Sequence, residues 1–211
     1  IDAACAFGNK YNSKQIIEYA DVVAYSFNGN KNITSGGGGL LSTNNQSVFK
    51  KAKILAENGK TKGNYIYSMF GHNYKMTNLH AAILKGQLSR YANIKNKLLK
   101  IHEKYNTKIN NDDFRFFSRD SKNNNVFWLN FVLCKNQIIS KKLINYLNTK
   151  NIYSNYFWTP MHLQSLNKKF IVEDMNFTEK FYKRIVLIPS SSFLKGKEIN
   201  YIINTLNNFK A

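Results

Sequence analysis

The chain has 211 residues, with 31 Lys and Arg against 12 Asp and Glu, a net charge of +19, and 43% hydrophobic and 14% aromatic residues. That length and apolar content suffice for a packed core and exclude a disordered chain despite the charge. No apolar run approaches the roughly 18–20 residues that cross a bilayer, and no basic-then-apolar leader opens the sequence.

The charge is mostly lysine, 27 residues against Arg90, Arg115, Arg119 and Arg184, scattered among Asn and Ile. A nucleic-acid module would gather Arg and Lys on one stripe with stacking aromatics, so neither nucleic acid nor membrane is expected as a partner. The two cysteines, Cys5 and Cys134, form no metal or redox motif. A reduced, cytoplasmic protein is expected.

The chain opens at Ile1 in what reads as a strand-end motif, IDAACAFG, which suggests a fragment or a processed product. DVVAYSF (21–27) is a β-branched and aromatic run that predicts a buried strand. The polar NGNKN and four glycines, Gly36 to Gly39, precede a second short strand, LLST (40–43). Asn44 and Asn45 mark a helix start, 46–59 reads as a helix stopped by Gly59, and Lys60 to Met76 reads as loop. From Thr77 a three- and four-residue apolar spacing predicts one long helix to about Lys108, whose basic run at 95–108 is a solvated face opposite Leu98, Leu99, Ile101 and Tyr105.

Residues 112–125 are polar and turn-rich, and VFWLNFVLC (126–134) predicts a strand. A helix at 140–151 with a Ser cap, extended chain at 152–158 and loop at 160–166 follow. Residues 177–189 start as helix and end extended before Pro189, and 195–209 close the chain as an amphipathic helix. Strands and helices alternate in the second half, so an α/β or α+β architecture is expected. The domain split is placed at 1–95 and 96–211.

Catalysis with pyridoxal 5'-phosphate (PLP) needs a lysine for the cofactor aldehyde and a carboxylate to keep the pyridinium nitrogen protonated. Hydroxyls and backbone N–H groups are needed for the phosphate. The sequence offers these in order: Asp2 at a strand end, Ser26 at another, and Lys31 five residues later in a Gly- and Asn-flanked loop. The four glycines would let backbone come close to a cofactor or a neighbouring subunit.

The strings are more specific than the spacing. IDAACAFG (1–8), DVVAYSFNGNKNITSGGGGLL (21–41), FGHNYKMTNLHAAILKGQL (70–88), TPMHLQ (159–164) and RIVLIPSS (184–191) occur in that order. Together they resemble the DegT/DnrJ/EryC1/StrS family of PLP-dependent nucleotide-sugar aminotransferases. The NGNK phrase, the glycine replacing the usual glutamate of GEGG, and the late Pro-Ser-Ser look most like its 4-aminotransferase branch. That branch acts on UDP-linked 4-keto-6-deoxy-N-acetylhexosamines.

The resemblance implies a PLP-dependent transferase of fold type I, here the second part of the large domain followed by a small C-terminal α+β domain. It makes Lys31 the Schiff-base lysine and proton shuttle, Asp2 the pyridinium partner and Ser26 a phosphate ligand. Asn73 would reach the phosphate of a partner subunit's cofactor, which implies a homodimer with shared sites. Trp158 and His162 would lie near the sugar-nucleotide pocket, and the amino donor would be glutamate. Cys5 stands where the family usually carries Gln or His beside the ring, and Asn155 stands near a frequent Arg. The half of the large domain that precedes the family's aspartate is absent from these 211 residues.

Taken singly, the same residues have plainer readings. Any lysine is more often solvated, Ser26 could satisfy strand-end backbone groups, and Cys5 could be a small buried hydrophobe. His72, His80 and His102 read as structural or exposed, with no spacing for a metal. The Phe114, Phe116 and Phe117 cluster reads as small-domain core. The alternative function is a basic module for nucleic acid or an anionic surface, supported by net charge alone. A further alternative keeps the fold but dehydrates, using His in place of the lysine, and Lys31 argues against it.

Overall fold

The computed structural model describes residues 1–61, 65–118, 126–170 and 173–211. Two compact units emerge, one of Ile1–Asn96 to which Val126 also belongs, and one of Lys97–Arg119 and Phe127–Ala211. Among the described residues, no helix is long and apolar enough to cross a membrane.

In the first unit the short strands β1 (Lys10–Tyr11) and β2 (Lys14–Gln15) pair as a hairpin. Strand β3 (Val22–Ser26) pairs antiparallel with β4 (Gly39–Thr43), from Val22 opposite Thr43 to Ser26 opposite Gly39. Its other edge takes a parallel bridge between Asp2 and Ala24. Of the run expected as buried, only Val23 and Phe27 are fully so, while Ala24 is exposed.

Helix α1 (Gln46–Ala56) starts where Asn45 caps the amides of Ser47 and Val48, as the sequence implied. It ends a turn before Gly59. The expected loop from Lys60 holds a small hairpin, β5 (Lys60–Thr61) with β6 (Ile66–Tyr67), residues 62–64 lying outside the described set. Two-residue strands carry no alternation to read.

The single long helix expected from Thr77 is two helices. Thr77 caps α2 (Asn78–Ser89), Arg90 leaves helical geometry at φ −102° and ψ 3°, and α3 runs Tyr91–Lys108. Leu98, Ile101, His102 and Tyr105 form the buried face of α3.

The second unit is built on an antiparallel sheet in the order β7 (Phe114–Phe116), β8 (Asn130–Cys134), β10 (Ile185–Ile188), β9 (Asn155–Tyr156). Strand β7 interrupts a stretch read as turns, whose part from 119 to 125 lies outside the described residues. Strand β8 begins four residues later than expected.

Helix α4 (Gln137–Thr149) is capped by Asn136, whose side chain accepts from the Ile139 amide. Ser140 is therefore not a cap: it is buried inside the helix, its hydroxyl donating to the carbonyls of Gln137 and Lys183. Helices α5 (Asn176–Tyr182) and α6 (Gly196–Asn207) complete the unit. The core cluster joins α3, α4, α6 and the sheet through Tyr105, Val132, Leu143, Leu147, Val186 and Leu206. Phe114 belongs to this core and Phe116 packs against it, but Phe117 is exposed and stacks on Phe131 at 5.1 Å.

Candidate active site

The Lys31 loop leaves β3 under tight backbone control. Phe27 N–H donates to the Gly38 carbonyl at 2.9 Å, and the Phe27 carbonyl accepts from Ser35 N–H at 3.0 Å and Thr34 Oγ1 at 3.1 Å. Lys31 N–H donates to Asn28 O at 3.0 Å, closing a turn. Ile33 and Ser35 are completely buried, so the loop is anchored on its far side. Gly36 and Gly38 both hold φ at +83°, a conformation costly for a side-chain-bearing residue. The glycine run thus shapes the return of the chain into β4.

Lys31 Nζ donates to Cys5 Sγ at 3.3 Å. Cys5 is half-buried rather than buried as the small-hydrophobe reading expected; Cys134, in the second unit, is the fully buried thiol. The turn carrying Cys5 is held by Phe7, whose ring meets Tyr25, Phe27 and Tyr91 edge-on at 5.5, 5.3 and 5.8 Å. Burial pushes the Tyr25 and Tyr91 phenols up.

Asp2 sits on the segment beside β3: Ala3 N–H donates to Ala24 O at 2.8 Å, and Ala24 N–H to Ile1 O at 3.0 Å. One carboxylate oxygen of Asp2 accepts from Ala4 N–H at 2.9 Å. That bond orients the carboxylate and leaves its second oxygen for another donor. Ser26 closes β3 opposite Gly39, and its Oγ accepts from Asn28 N–H at 3.3 Å. The structure thus places Asp2, Ser26 and Lys31 on or directly after two neighbouring extended segments, with Cys5 in contact with the lysine.

Asn73 is held elsewhere in the unit, by a bridge to Glu57 at the end of α1. Its neighbours are fixed by Tyr74 N–H to Ala56 O at 2.9 Å, the stacked His72 and Tyr74 rings at 4.7 Å, and the Lys75–Glu57 ion pair at 3.0 Å.

Trp158 and His162 belong to the second unit. Trp158 is half exposed, with its ring 4.8 Å from Phe157. His162 is mostly covered, and its Nε2 lies 3.0 Å from Glu179 Oε1. Glu179 escaped the sequence reading: it stands seventeen residues away on another element, and neither motif nor period joins the two.

The donor set of the lysine loop fits PLP. A carboxylate with a spare oxygen suits a pyridinium N–H, a primary amine suits an aldehyde, and a strand-end hydroxyl suits a phosphate.

Comparison with known proteins agrees with this chemistry. GDP-perosamine synthase of Escherichia coli O157:H7 is 28% identical over 215 residues, covering 99% of this chain and 57% of that protein. The UDP-4-amino-4,6-dideoxy-N-acetyl-beta-L-altrosamine transaminase of Helicobacter pylori is 22% identical over 226 residues, covering 99% and 59%. The chain therefore spans little more than half the length of these curated relatives.

Among solved structures, Helicobacter pylori PseC, an aminotransferase involved in the biosynthesis of pseudoaminic acid, superposes with a TM-score of 0.90 at 21% identity, covering 97% of this chain and 57% of that one. The PLP-form of Spr1654 from Streptococcus pneumoniae gives 0.87 at 23%, covering 98% and 56%. These likenesses establish the fold, that of the fold type I PLP-dependent transferases. The profile of the DegT/DnrJ/EryC1/StrS aminotransferase family matches residues 1–207, and the chain belongs to that family.

Proposed function

We propose that this chain is the lysine-bearing part of a PLP-dependent aminotransferase that moves an amino group from glutamate to the 4-keto carbon of a UDP-linked 4-keto-6-deoxy-N-acetylhexosamine. The observation that carries it is the contact of Lys31 Nζ with Cys5 Sγ at 3.3 Å, which joins the loop after Ser26 to the segment that bears Asp2, itself bridged to β3 at Ala24. The UDP-linked substrate rests on the NGNK phrase and on the activity for which the Helicobacter pylori relative is named.

When bound, PLP supplies an electron-withdrawing ring and an aldehyde that exchanges amines. Asp2 would accept from the ring N–H with the oxygen that Ala4 leaves vacant. Ser26 Oγ would donate to the phosphate. Lys31 Nζ would hold the cofactor aldehyde and, once an amine donor displaced it, would move a proton at the reacting carbon. Trp158 and His162 bind the sugar nucleotide. Cys5 contacts the cofactor where relatives carry Gln or His.

The protein works as a homodimer in this reading, with Asn73 binding the partner's cofactor phosphate. Supporting that, neither α1 nor α2 has a fully buried residue, and Leu79, Phe70 and Ile66 are exposed around the Asn73 segment. A second copy would cover such surface, as would the further length that the relatives possess beyond the part matched here.

The test uses the protein expressed from its complete reading frame, loaded with PLP, reduced with borohydride and mapped by mass spectrometry. A pyridoxyl group on Lys31 is expected, and K31A abolishes it. A protein that takes up no PLP, or carries the group on another lysine, overturns the reading. Release of 2-oxoglutarate from glutamate in the presence of the 4-keto sugar checks donor and substrate. Turnover of a 3-keto sugar alone would refute the assigned carbon.

A further inference from the structure

The second unit holds a side-chain pair whose bonding dictates chemistry. His162 lies in the short 3-10 turn Met161–Leu163 that follows Pro160, with 10% of its side chain exposed. Its Nε2 lies 3.0 Å from Oε1 of Glu179, in the first turn of α5. The turn is laced from within: Leu163 N–H donates to Pro160 O at 3.0 Å, Gln164 N–H to Met161 O at 3.2 Å, and Asn167 Nδ2 to Met161 O at 2.8 Å. The ring is therefore fixed at both its backbone and its far nitrogen.

An ionised carboxylate has no hydrogen to give, so Nε2 carries it. In a neutral imidazole the other nitrogen is then an acceptor. Among the described residues, His162 Nδ1 makes no hydrogen bond. The pair thus leaves an oriented, unused acceptor on the segment that begins with the half-exposed Trp158 indole.

We propose that Glu179 is a positioning residue of the substrate site: it holds His162 in the Nε2–H tautomer, so that Nδ1 accepts a hydrogen bond from a hydroxyl or amide N–H of the sugar nucleotide. This rests on the sugar-nucleotide reading given above. A carboxylate behind an imidazole fixes the tautomer and ring orientation in the same way wherever it supports a working histidine. Were the pair only a clasp for the segment between residues 162 and 179, the identity of the protonated nitrogen would not matter to ligand binding.

Long-range 1H–15N correlation spectra of the protein, at about pH 8.5 and two units above the ordinary imidazole value, read the tautomer directly. H162N assigns the ring among the four histidines. The wild type is expected as the Nε2–H form, and E179A lowers that tautomer ratio about tenfold, the difference a charged hydrogen-bond partner makes. E179Q, which keeps the shape and can still accept, lowers it about threefold and serves if E179A does not fold.

Calorimetry with a stable UDP-N-acetylhexosamine completes the test. H162N and E179A each weaken binding, and the double variant is no weaker than H162N alone. An Nδ1–H or imidazolium form in the wild type, or a tautomer shift that leaves binding unchanged, overturns the role of Glu179. A wild type that binds no sugar nucleotide, or takes up no PLP at Lys31, instead overturns the parent reading, and the two failures are told apart by the ligand arm.

Discussion

Gly8 ends the motif that carries Asp2 and Cys5, and its replacement by alanine tests how that turn is held. Gly8 sits at φ +81°, and a Cβ there would lie 1.5 Å from Tyr91 Oη and 2.4 Å from Cζ. Two costs follow. The left-handed backbone costs an alanine about 1–2 kcal/mol, and displacing a ring wedged against Phe7 costs about 1–3 kcal/mol as overpacking. G8A therefore destabilises the first unit by about 2–5 kcal/mol. In a Y91A background the steric part vanishes, and G8A costs only about 1–2 kcal/mol, so the cycle shows a coupling of about 1–3 kcal/mol. Tryptophan fluorescence cannot report it, since Trp128 and Trp158 both lie in the second unit. Hydrogen exchange at the Ala24 and Phe27 amides, bonded to Ile1 O and Gly38 O, reads the first unit. G8A alone speeds it about 30- to 5,000-fold, and in the Y91A background by about 5- to 30-fold. Equal acceleration in both backgrounds would refute the close approach of Gly8 and Tyr91.

Three further outcomes are expected. N45A removes the acceptor for the Ser47 and Val48 amides and costs the first unit about 1 kcal/mol, measured by hydrogen exchange in α1. S140A removes the buried hydroxyl that donates to the Lys183 and Gln137 carbonyls and costs the second unit about 1 kcal/mol, measured by urea unfolding followed by tryptophan fluorescence. Burial pushes the Cys134 thiol from the ordinary 9.0 up to about 12, so at pH 8 a thiol reagent labels Cys5 in the folded protein and spares Cys134. Because the folded value is raised, the stability linked to this thiol is fully present below pH 9.0 and is lost as pH rises towards about 12; C134A flattens that part of the urea midpoint–pH profile.

What could be read in advance followed from local chemistry. Asn45 as a cap and α6 as an amphipathic helix needed only short-range signals, and the structure has both. The Lys31 loop was legible because a strand, a polar turn and four glycines stand together within one stretch. The break at Arg90 was not, since the apolar spacing continues across it and neither Gly nor Pro marks it. The start of α4 was misread because Asn136 and Ser140 both suit a cap, and what decides is burial: Ser140 is held inside by the Lys183 carbonyl, forty-three residues away. The Lys31–Cys5 and His162–Glu179 contacts arise the same way, from tertiary folding that brings distant positions together.

The two units also differ in how they are held. The core cluster runs from Ile101 to Phe209 and lies wholly in the second unit. In the first, Ala3, Val23, Phe27 and Ile33 are buried around the lysine loop, while α1 and α2 bury no residue fully. Each apolar side chain left in water forgoes about 1.5–3 kcal/mol of stabilisation, so the outer helices of the first unit depend on whatever covers them. The lysine loop does not share that dependence to the same degree, because backbone bonds to Phe27 and the buried Ile33 and Ser35 hold it locally. Covering the apolar faces of α1 and α2 therefore acts on the Asn73 segment first, since that segment is tied to the end of α1 through Glu57 and Ala56. In the proposed homodimer, covering those faces would bear on Asn73 through its bridge to Glu57, while leaving the geometry of Lys31 as it stands.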